Sequence, residues 1–358
     1  MDRGISTHRV PTTMRTGGYL IVAVVLCRAA ASRAGQATPD PAVAELAKEV
    51  RNKGWIAYSA RSPRGDWDLF LMRPDGSDGR NITNTPDHGE AAPRFSPDGT
   101  KLLYRRLPKV AAISHDQWGF KGQLVLANAD GSNPVVLGKD GEFPWASWSP
   151  DGRQIACLTK KGIEIVDLET RQVVRKMNRR GYYQQLFWSP DGKWFCGVTN
   201  HLGEDWTVGR MSVETGEINA VSSYQNCTPD WFPDSKRIIF SNRPANQEDK
   251  YGFTQLWMAD GDGKNRRLVY GEDGRHIYGG LVSPDGAYVL FTSGPQDGSG
   301  ADKAGAPMGI IRLADTPMIT GPSRALRKLH PNTKDGPVLW LPMGWEPHWT
   351  YADVGGKK

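Results

Sequence analysis

The sequence is poor in cysteine and lacks several of the patterns that announce an enzyme. Only Cys27, Cys157, Cys196 and Cys227 occur in 358 residues. If Cys27 is removed with a leader, an odd three remain, which excludes a fully paired disulfide framework. Cys157 and Cys196 sit in apolar strand patterns, where cysteine serves as a small buried hydrophobe. No spacing suits a cysteine-built zinc site. There is no Gly-x-Ser-x-Gly elbow for a hydrolase, no phosphate-cradling glycine loop and no compact His-x-x-x-His element. Long hydrophobic runs are also missing: the nine-residue run Tyr19–Cys27 is about half the ~20 residues a membrane-spanning helix needs. An excess of positive charge is present but misleading. The net charge is +6, yet residues 1–34 hold five Arg against Asp2, leaving about +2 for the remainder. A general polyanion-binding or nucleic-acid role is therefore not supported.

The basic N-terminus has its own explanation. Arg9 and Arg15 precede the apolar run, and Ala29, Ala31 and Ala34 follow it. That is the pattern of a cleaved secretory signal peptide over 1–34, which predicts a periplasmic or secreted protein. Met14 is an alternative start, since residues 1–13 add nothing to the signal. Leu26 before Cys27 is not the small residue a lipidated cysteine requires. Residues 35–53 read as a linker with one short helix: Asp40-Pro41 is a start signal, and Val43, Leu46, Ala47 and Val50 follow at helical spacing.

What is abundant is turn and aromatic residues: 41 Gly, 25 Pro and 13 Trp, a mixture suited to many short strands joined by tight turns. One phrase recurs, as Phe95-Ser-Pro-Asp-Gly99, Trp148-Ser-Pro-Asp-Gly152 and Trp188-Ser-Pro-Asp-Gly192, then as Trp231-Phe-Pro-Asp-Ser235 and Val282-Ser-Pro-Asp-Gly286. The prolines lie 53, 40, 43 and 51 residues apart, close to the period of a four-stranded propeller blade of about 40–45 residues. Proline presets φ, aspartate bonds the following backbone and glycine accepts positive φ, so each phrase is a hairpin between the first and second strands of a blade. These aspartates are turn residues, not catalytic ones. A second set of turns, at Asp75-Gly76, Asp130-Gly131, Leu168-Glu-Thr170, Glu214-Thr-Gly216, Asp260-Gly261 and Ala314-Asp315, joins third and fourth strands.

Six turns of the second kind face only five of the first. The β pattern opens with Trp55-Ile-Ala-Tyr58, a second strand without its first. It ends with Trp345-Glu-Pro-His-Trp349-Thr-Tyr351, a first strand without its turn. Pairing them predicts an all-β, six-bladed propeller of four-stranded blades over 54–351, with the C-terminal strand completing the first blade and closing the ring, and a tail at 352–358. Closure of this kind protects sheet edges.

The repeats resemble the TolB-like propeller family, with WD40-like, PD40-type blades, across residues 54–351. The resemblance implies a fold, and functions ranging from partner binding to service as an enzyme's companion domain. The TolB pattern includes an α/β domain before the propeller, for which 35–53 leaves no room, and propeller-linked peptidases need a hydrolase domain that is equally missing.

Strand order puts the Ser-Pro-Asp-Gly turns on one face and the second-to-third loops and inter-blade links on the other. The second face collects the informative residues. Glu90, Glu142, Phe143, Tyr182, Tyr183, Asn226 and Tyr278 are expected to ring the channel mouth there and to bind a protein or carbohydrate partner with no cofactor. The alternative gathers His88, His115, His201 and His276 with carboxylates around a divalent metal. That arrangement resembles polysaccharide lyases with a His-ligated metal on a propeller, and implies a metal-assisted carbohydrate-active enzyme. The basic stretch 171–180 reads as a solvated edge, and 324–330 as a solvated loop in a long irregular link, with a docking patch as the alternative.

Overall fold

A computed structural model of the chain describes residues 40–109, 122–143, 145–177, 182, 184–202, 206–222, 226–243, 254–272, 275–295, 305–316, 319–320 and 336–354. The signal-peptide reading of 1–34 and the basic stretch 324–330 lie outside them. Each recurring phrase folds as its residues dictate. The N–H of Gly99, Gly152, Gly192 and Gly286 donates to the carbonyl of Ser96, Ser149, Ser189 and Ser283 at 2.8–2.9 Å. The serine hydroxyl then donates to the turn aspartate, as from Ser149 to Asp151 at 2.6 Å. These glycines have φ of 70–76°, and Ser235 takes φ 58° at the corresponding turn, a conformation strained for a residue with a side chain. Hydrogen bonding holds Asp98 and Asp151 below the usual carboxylate range, as fits turn-capping groups.

The strands assemble into antiparallel sheets. Three have four strands. The first holds β4 (His88–Phe95), β5 (Lys101–Pro108), β6 (Gln123–Asn128) and β7 (Val135–Leu137). The second holds β8 (Trp145–Trp148), β9 (Gln154–Thr159), β10 (Gly162–Asp167) and β11 (Val173–Met177). The third holds β12 (Gln184–Trp188), β13 (Trp194–Thr199), β14 (Thr207–Ser212) and β15 (Ile218–Ala220). A fourth, of β16 (Asn226–Trp231), β17 (Arg237–Asn242), β18 (Gln255–Asp260) and β19 (Arg267–Tyr270), gains the short β23 (Ile319–Thr320) at its edge.

The fifth sheet has seven strands, in the order β20 (Arg275–Val282), β21 (Tyr288–Pro295), β22 (Ala306–Arg312), β24 (Leu339–Thr350), β1 (Trp55–Arg61), β2 (Trp67–Met72) and β3 (Arg80–Asn81). Hydrogen bonding thus gives five sheets, four of them separate blades (three of four strands and one extended to five by β23), where six separate blades were expected. The reason lies in β24. Its first half pairs with β22 through Leu339↔Ile310 and Leu341↔Met308. Its second half pairs with β1 through Trp349↔Ile56 and Thr350↔Trp55. One uninterrupted strand serves two neighbours. The architecture is an all-β propeller of antiparallel four-stranded blades.

The core lies between neighbouring sheets. Phe95, Leu102, Tyr104 and Val125 pack against Leu69 and Leu71, and the free, buried Cys157 and Cys196 pack among Trp148 and Ile155 and among Trp231 and Phe240 respectively. Helix α1 (Pro41–Val50) starts on Asp40, whose side chain accepts from the N–H of Ala42 at 2.8 Å. It buries Leu46 and Val50 against Tyr288, Met308 and Trp349. Glu49 fixes it by accepting from the Tyr288 hydroxyl and from Arg312. Among the described residues no helix is long and apolar enough to cross a membrane.

Candidate functional site

Five of the innermost strands share an irregularity that no residue type advertises. Each changes register against its partner a few residues before the turn: β4 after Ala91, β12 after Gln184, β16 after Cys227, β20 after Tyr278, and β24 opposite Ala57–Ser59. At each break one residue takes positive φ, namely Ala92, Gln185, Thr228, Gly279 and Glu346, at 46–58°. These are β-bulges, which re-aim the side chains that follow.

Beyond the bulges, the strand ends of β4, β8, β12, β16, β20 and β24 enclose a cavity of about 630 Å³. It opens on the face of the Ser-Pro-Asp-Gly turns, with Pro97, Pro150, Pro190, Pro233 and Pro284 at its rim. One level inside, each strand contributes one residue: Arg94, Ser147, Phe187, Asp230, Leu281 and His348.

These six positions alternate in how they join neighbouring strands. His348 Nδ1 accepts from the N–H of Phe95 at 3.2 Å, Ser147 Oγ from the N–H of Trp188 at 2.8 Å, and Asp230 Oδ2 from the N–H of Val282 at 3.2 Å. At two of the positions between them, Arg94 and Phe187, the backbone carbonyl is the acceptor instead. The indole of Trp148 donates to the carbonyl of Arg94 at 3.0 Å, and that of Trp231 to the carbonyl of Phe187 at 3.2 Å. A side-chain acceptor at alternate positions therefore satisfies a buried backbone donor of the next strand.

The electrostatics follow from enclosure. Burial, with Arg94 nearby, pushes the His348 imidazole well below its ordinary value, so the ring is neutral. Because Nδ1 accepts, its proton sits on Nε2. Burial raises Asp230 to about 7 and lowers Arg94, which feels Glu346 and Asp230. The Arg94 guanidinium lies 5.4 Å from the centre of the Phe187 ring. It donates to the carbonyls of Pro93 at 2.8 Å and Glu346 at 3.4 Å. Of the residues that flank this level, Phe95, Trp148, Trp231 and Trp349 are buried, while Trp188, like Phe187 beside it, is partly exposed at the cavity wall.

Most of the described residues expected at the opposite mouth are buried. Phe143 is packed in the core beside Leu103 and Trp148, and its carbonyl accepts from Arg105 at 2.6 Å. Tyr182 is buried too, its hydroxyl donating to the carbonyls of Gly209 at 2.9 Å and Phe195 at 3.1 Å. Both aromatic rings are buried in the core. Asn226 is buried opposite Asn242, Glu142 is exposed on a turn, and Tyr183 lies outside the described residues. Glu90 is fully buried: the Thr85 hydroxyl donates to Oε1, Oε2 has no partner among the described residues, and burial raises the acid to about 7. Tyr278 stacks on His276 with ring centres 5.5 Å apart and accepts from Arg243 at 3.3 Å.

Of the four histidines, His115 lies outside the described residues. His276 is buried, with Nδ1 accepting from the N–H of Thr254 at 3.0 Å. His88 is half-buried and His201 exposed. Among the described residues no three His, Cys, Asp or Glu side chains gather as a metal-holding group.

The cavity residues escaped sequence reading, though one alignment would have found them. Setting the repeats in register on their prolines puts Arg94, Ser147, Phe187, Asp230 and Leu281 in one column, a polar-rich column just ahead of the aromatic one.

Comparison with known proteins agrees on the fold. No family model matches the chain. An uncharacterised protein of Agrobacterium fabrum is 25% identical over 223 residues, covering 57% of this chain and 69% of that protein. The Tol-Pal system protein TolB of Francisella tularensis subsp. holarctica is 23% identical over 248 residues, covering 54% of this chain and 55% of the relative. The chain thus spans about half the length of the TolB relatives it matches. The crystal structure of TolB from Acinetobacter baumannii superposes with a TM-score of 0.55 at 19% identity, over 83% of this chain and 66% of that one.

Proposed function

Starting from a TolB-like β-propeller fold, we propose that the chain is a binding scaffold built as a closed ring of six blades, working through the axial cavity on its turn face. Six blades are supported by the two-sided pairing of β24, whose halves act as the last strand of one blade and the first of the next. Closure by a shared strand leaves no open edge at the seam. The observation that carries the binding role is the cavity itself. Six strand ends converge on about 630 Å³, within the range of pre-formed ligand sites of roughly 300–1,000 Å³. The apolar proline rim and a few fixed polar groups inside match the usual make-up of such sites.

A peptide segment of a protein partner suits this cavity better than a carbohydrate. Sugars are gripped by broad exposed rings, and of the cavity's four tryptophans Trp148, Trp231 and Trp349 are buried, leaving only Trp188 partly exposed. The reading places the site on the face opposite to the one the sequence favoured. The relatives named TolB and the leader-like residues 1–34 support a periplasmic or secreted location. Metal-assisted carbohydrate chemistry has no comparable observation behind it.

The test is to plug the channel. Ala146→Trp fills the cavity from its wall, where Ala146 is partly exposed, while His201→Ala alters the opposite face. Loss of the co-purifying partner with the first variant and retention with the second is expected. Retention with the plugged channel, at an unchanged melting temperature, contradicts the proposal.

A further inference from the structure

At the cavity's inner level, three polar residues are accounted for by the fold. His348, Ser147 and Asp230 each accept a backbone N–H of the next strand. The alternate positions carry no such duty, and two of them hold apolar residues, Phe187 and Leu281. The third is Arg94. A guanidinium there carries a desolvation cost, and the described residues of the blades engage only one of its three nitrogens. Asp230 and Glu346 influence it electrostatically, yet among the described residues no carboxylate comes within ion-pair distance of it. Only Nη1 is engaged, by the carbonyls of Pro93 and Glu346. Nε and Nη2 have no partner among the described residues, and Phe187 braces the group from one side.

We infer that Arg94 is a carboxylate receptor, and that its ligand is the free C-terminal end of a peptide entering through the proline rim. The inference rests on the axial cavity being the binding site. Arginine's planar fork matches a carboxylate with two parallel N–H donors, and such charge-assisted pairs are the strong hydrogen bonds. His348, on the inner strand next to β4, has its Nε2 proton fixed by the bond at Nδ1 and lines the same cavity. Asp230 stands on a separate inner strand and, where ionised, disfavours an acid on its own side, which sets the ligand's orientation. A chain end enters a ring of turns without doubling back, and capture of a terminal carboxylate by fixed donors is a recurrent mode of peptide recognition. The rim prolines have no N–H, so they suit apolar side chains near the end of a peptide and not sugar hydroxyls.

The experiment uses the full chain and two matched arrays of varied octapeptides, one with free C-terminal carboxylates and one amidated, with affinities of the strongest binders measured by fluorescence anisotropy. Amidation is expected to weaken binding about tenfold or more, the worth of a hydrogen bond to a charged group. Arg94→Gln is expected to give the same loss and to erase the difference between the arrays. Amidation alters the ligand and not the protein, so that comparison stands whether or not the variant folds. Peptide binding that ignores both amidation and Arg94→Gln overturns the carboxylate subsite and leaves the cavity reading intact. Silence on both arrays, with no Arg94-dependent binding of an oligogalacturonate, overturns the two together. Arg94-dependent binding of an oligogalacturonate with both arrays silent puts the carboxylate on a sugar and overturns the peptide.

Discussion

The backbone N–H of Phe95 donates to Nδ1 of His348 at 3.2 Å, joining residues 253 positions apart in the chain. His348 sits on β24 and Phe95 on β4, so this bond ties the C-terminal strand to the next inner strand. Replacing His348 by Phe removes the acceptor and leaves a buried N–H unpaired. A loss of about 1–3 kcal/mol is expected, measured by urea unfolding. Ser147→Ala, which strands the N–H of Trp188 in the same way, is expected to fall in the same range. Leu281→Val, at an alternate position, is expected to cost less than either.

Trp349 is 2% exposed, pairs with Ile56 across β24 and β1, and donates from its indole to the carbonyl of Lys53 at 2.7 Å. Trp349→Ala is expected to destabilise the whole domain by about 3–5 kcal/mol in a single cooperative transition. Gly54 tests the same seam from the other strand. It has φ of 77°, and a Cβ there would lie 1.9 Å from the carbonyl oxygen of Thr350. Gly54→Ala is expected to lower the melting temperature as Trp349→Ala does.

Burial raises Glu90 from 4.5, and Asp230 from 3.8, to about 7. In the unfolded chain both ionise near their ordinary values, while the folded protein keeps the protons until pH about 7. Their effect is thus absent below those ordinary values. It grows as a penalty on folding as pH rises towards 7, on the order of 3 kcal/mol for Glu90. Stability measured against pH is expected to fall across that window. Glu90→Gln and Asp230→Asn are each expected to flatten the fall and to exceed the parent protein's stability at pH 8.

Tyr182 looked like a binding aromatic in the sequence and is a packing residue in the structure. Its hydroxyl bonds two carbonyls, of Phe195 and Gly209. Tyr182→Phe is expected to cost about 1–2 kcal/mol of stability and to leave partner affinity unchanged. A loss of affinity at full stability would return this residue to the site.

The turn chemistry of Pro97, Pro150, Pro190, Pro233 and Pro284 made the repeat legible, because a tight turn imposes its residues directly. The pairing of 345–351 with 55–58 was legible by counting strands. The site was not. The expected site followed the face on which aromatic, acidic and histidine residues collect, and nothing in residue type signals the bulges at Ala92, Gln185, Thr228, Gly279 and Glu346, each of which re-aims the side chains after it. Those five residues share no chemistry, since what they share is a backbone conformation enforced by neighbouring sheets. Phe143 and Tyr182 misled for a related reason: an aromatic residue at a strand entry serves a core as readily as a mouth.

The most direct test of the binding face is photo-crosslinking. A benzoylphenylalanine placed at Phe187, inside the cavity, is compared in living cells with one at His201 on the opposite face. A discrete partner adduct from position 187 and none from 201 is the predicted result. An adduct from 201 alone, or from neither position, contradicts a partner held in the axial cavity.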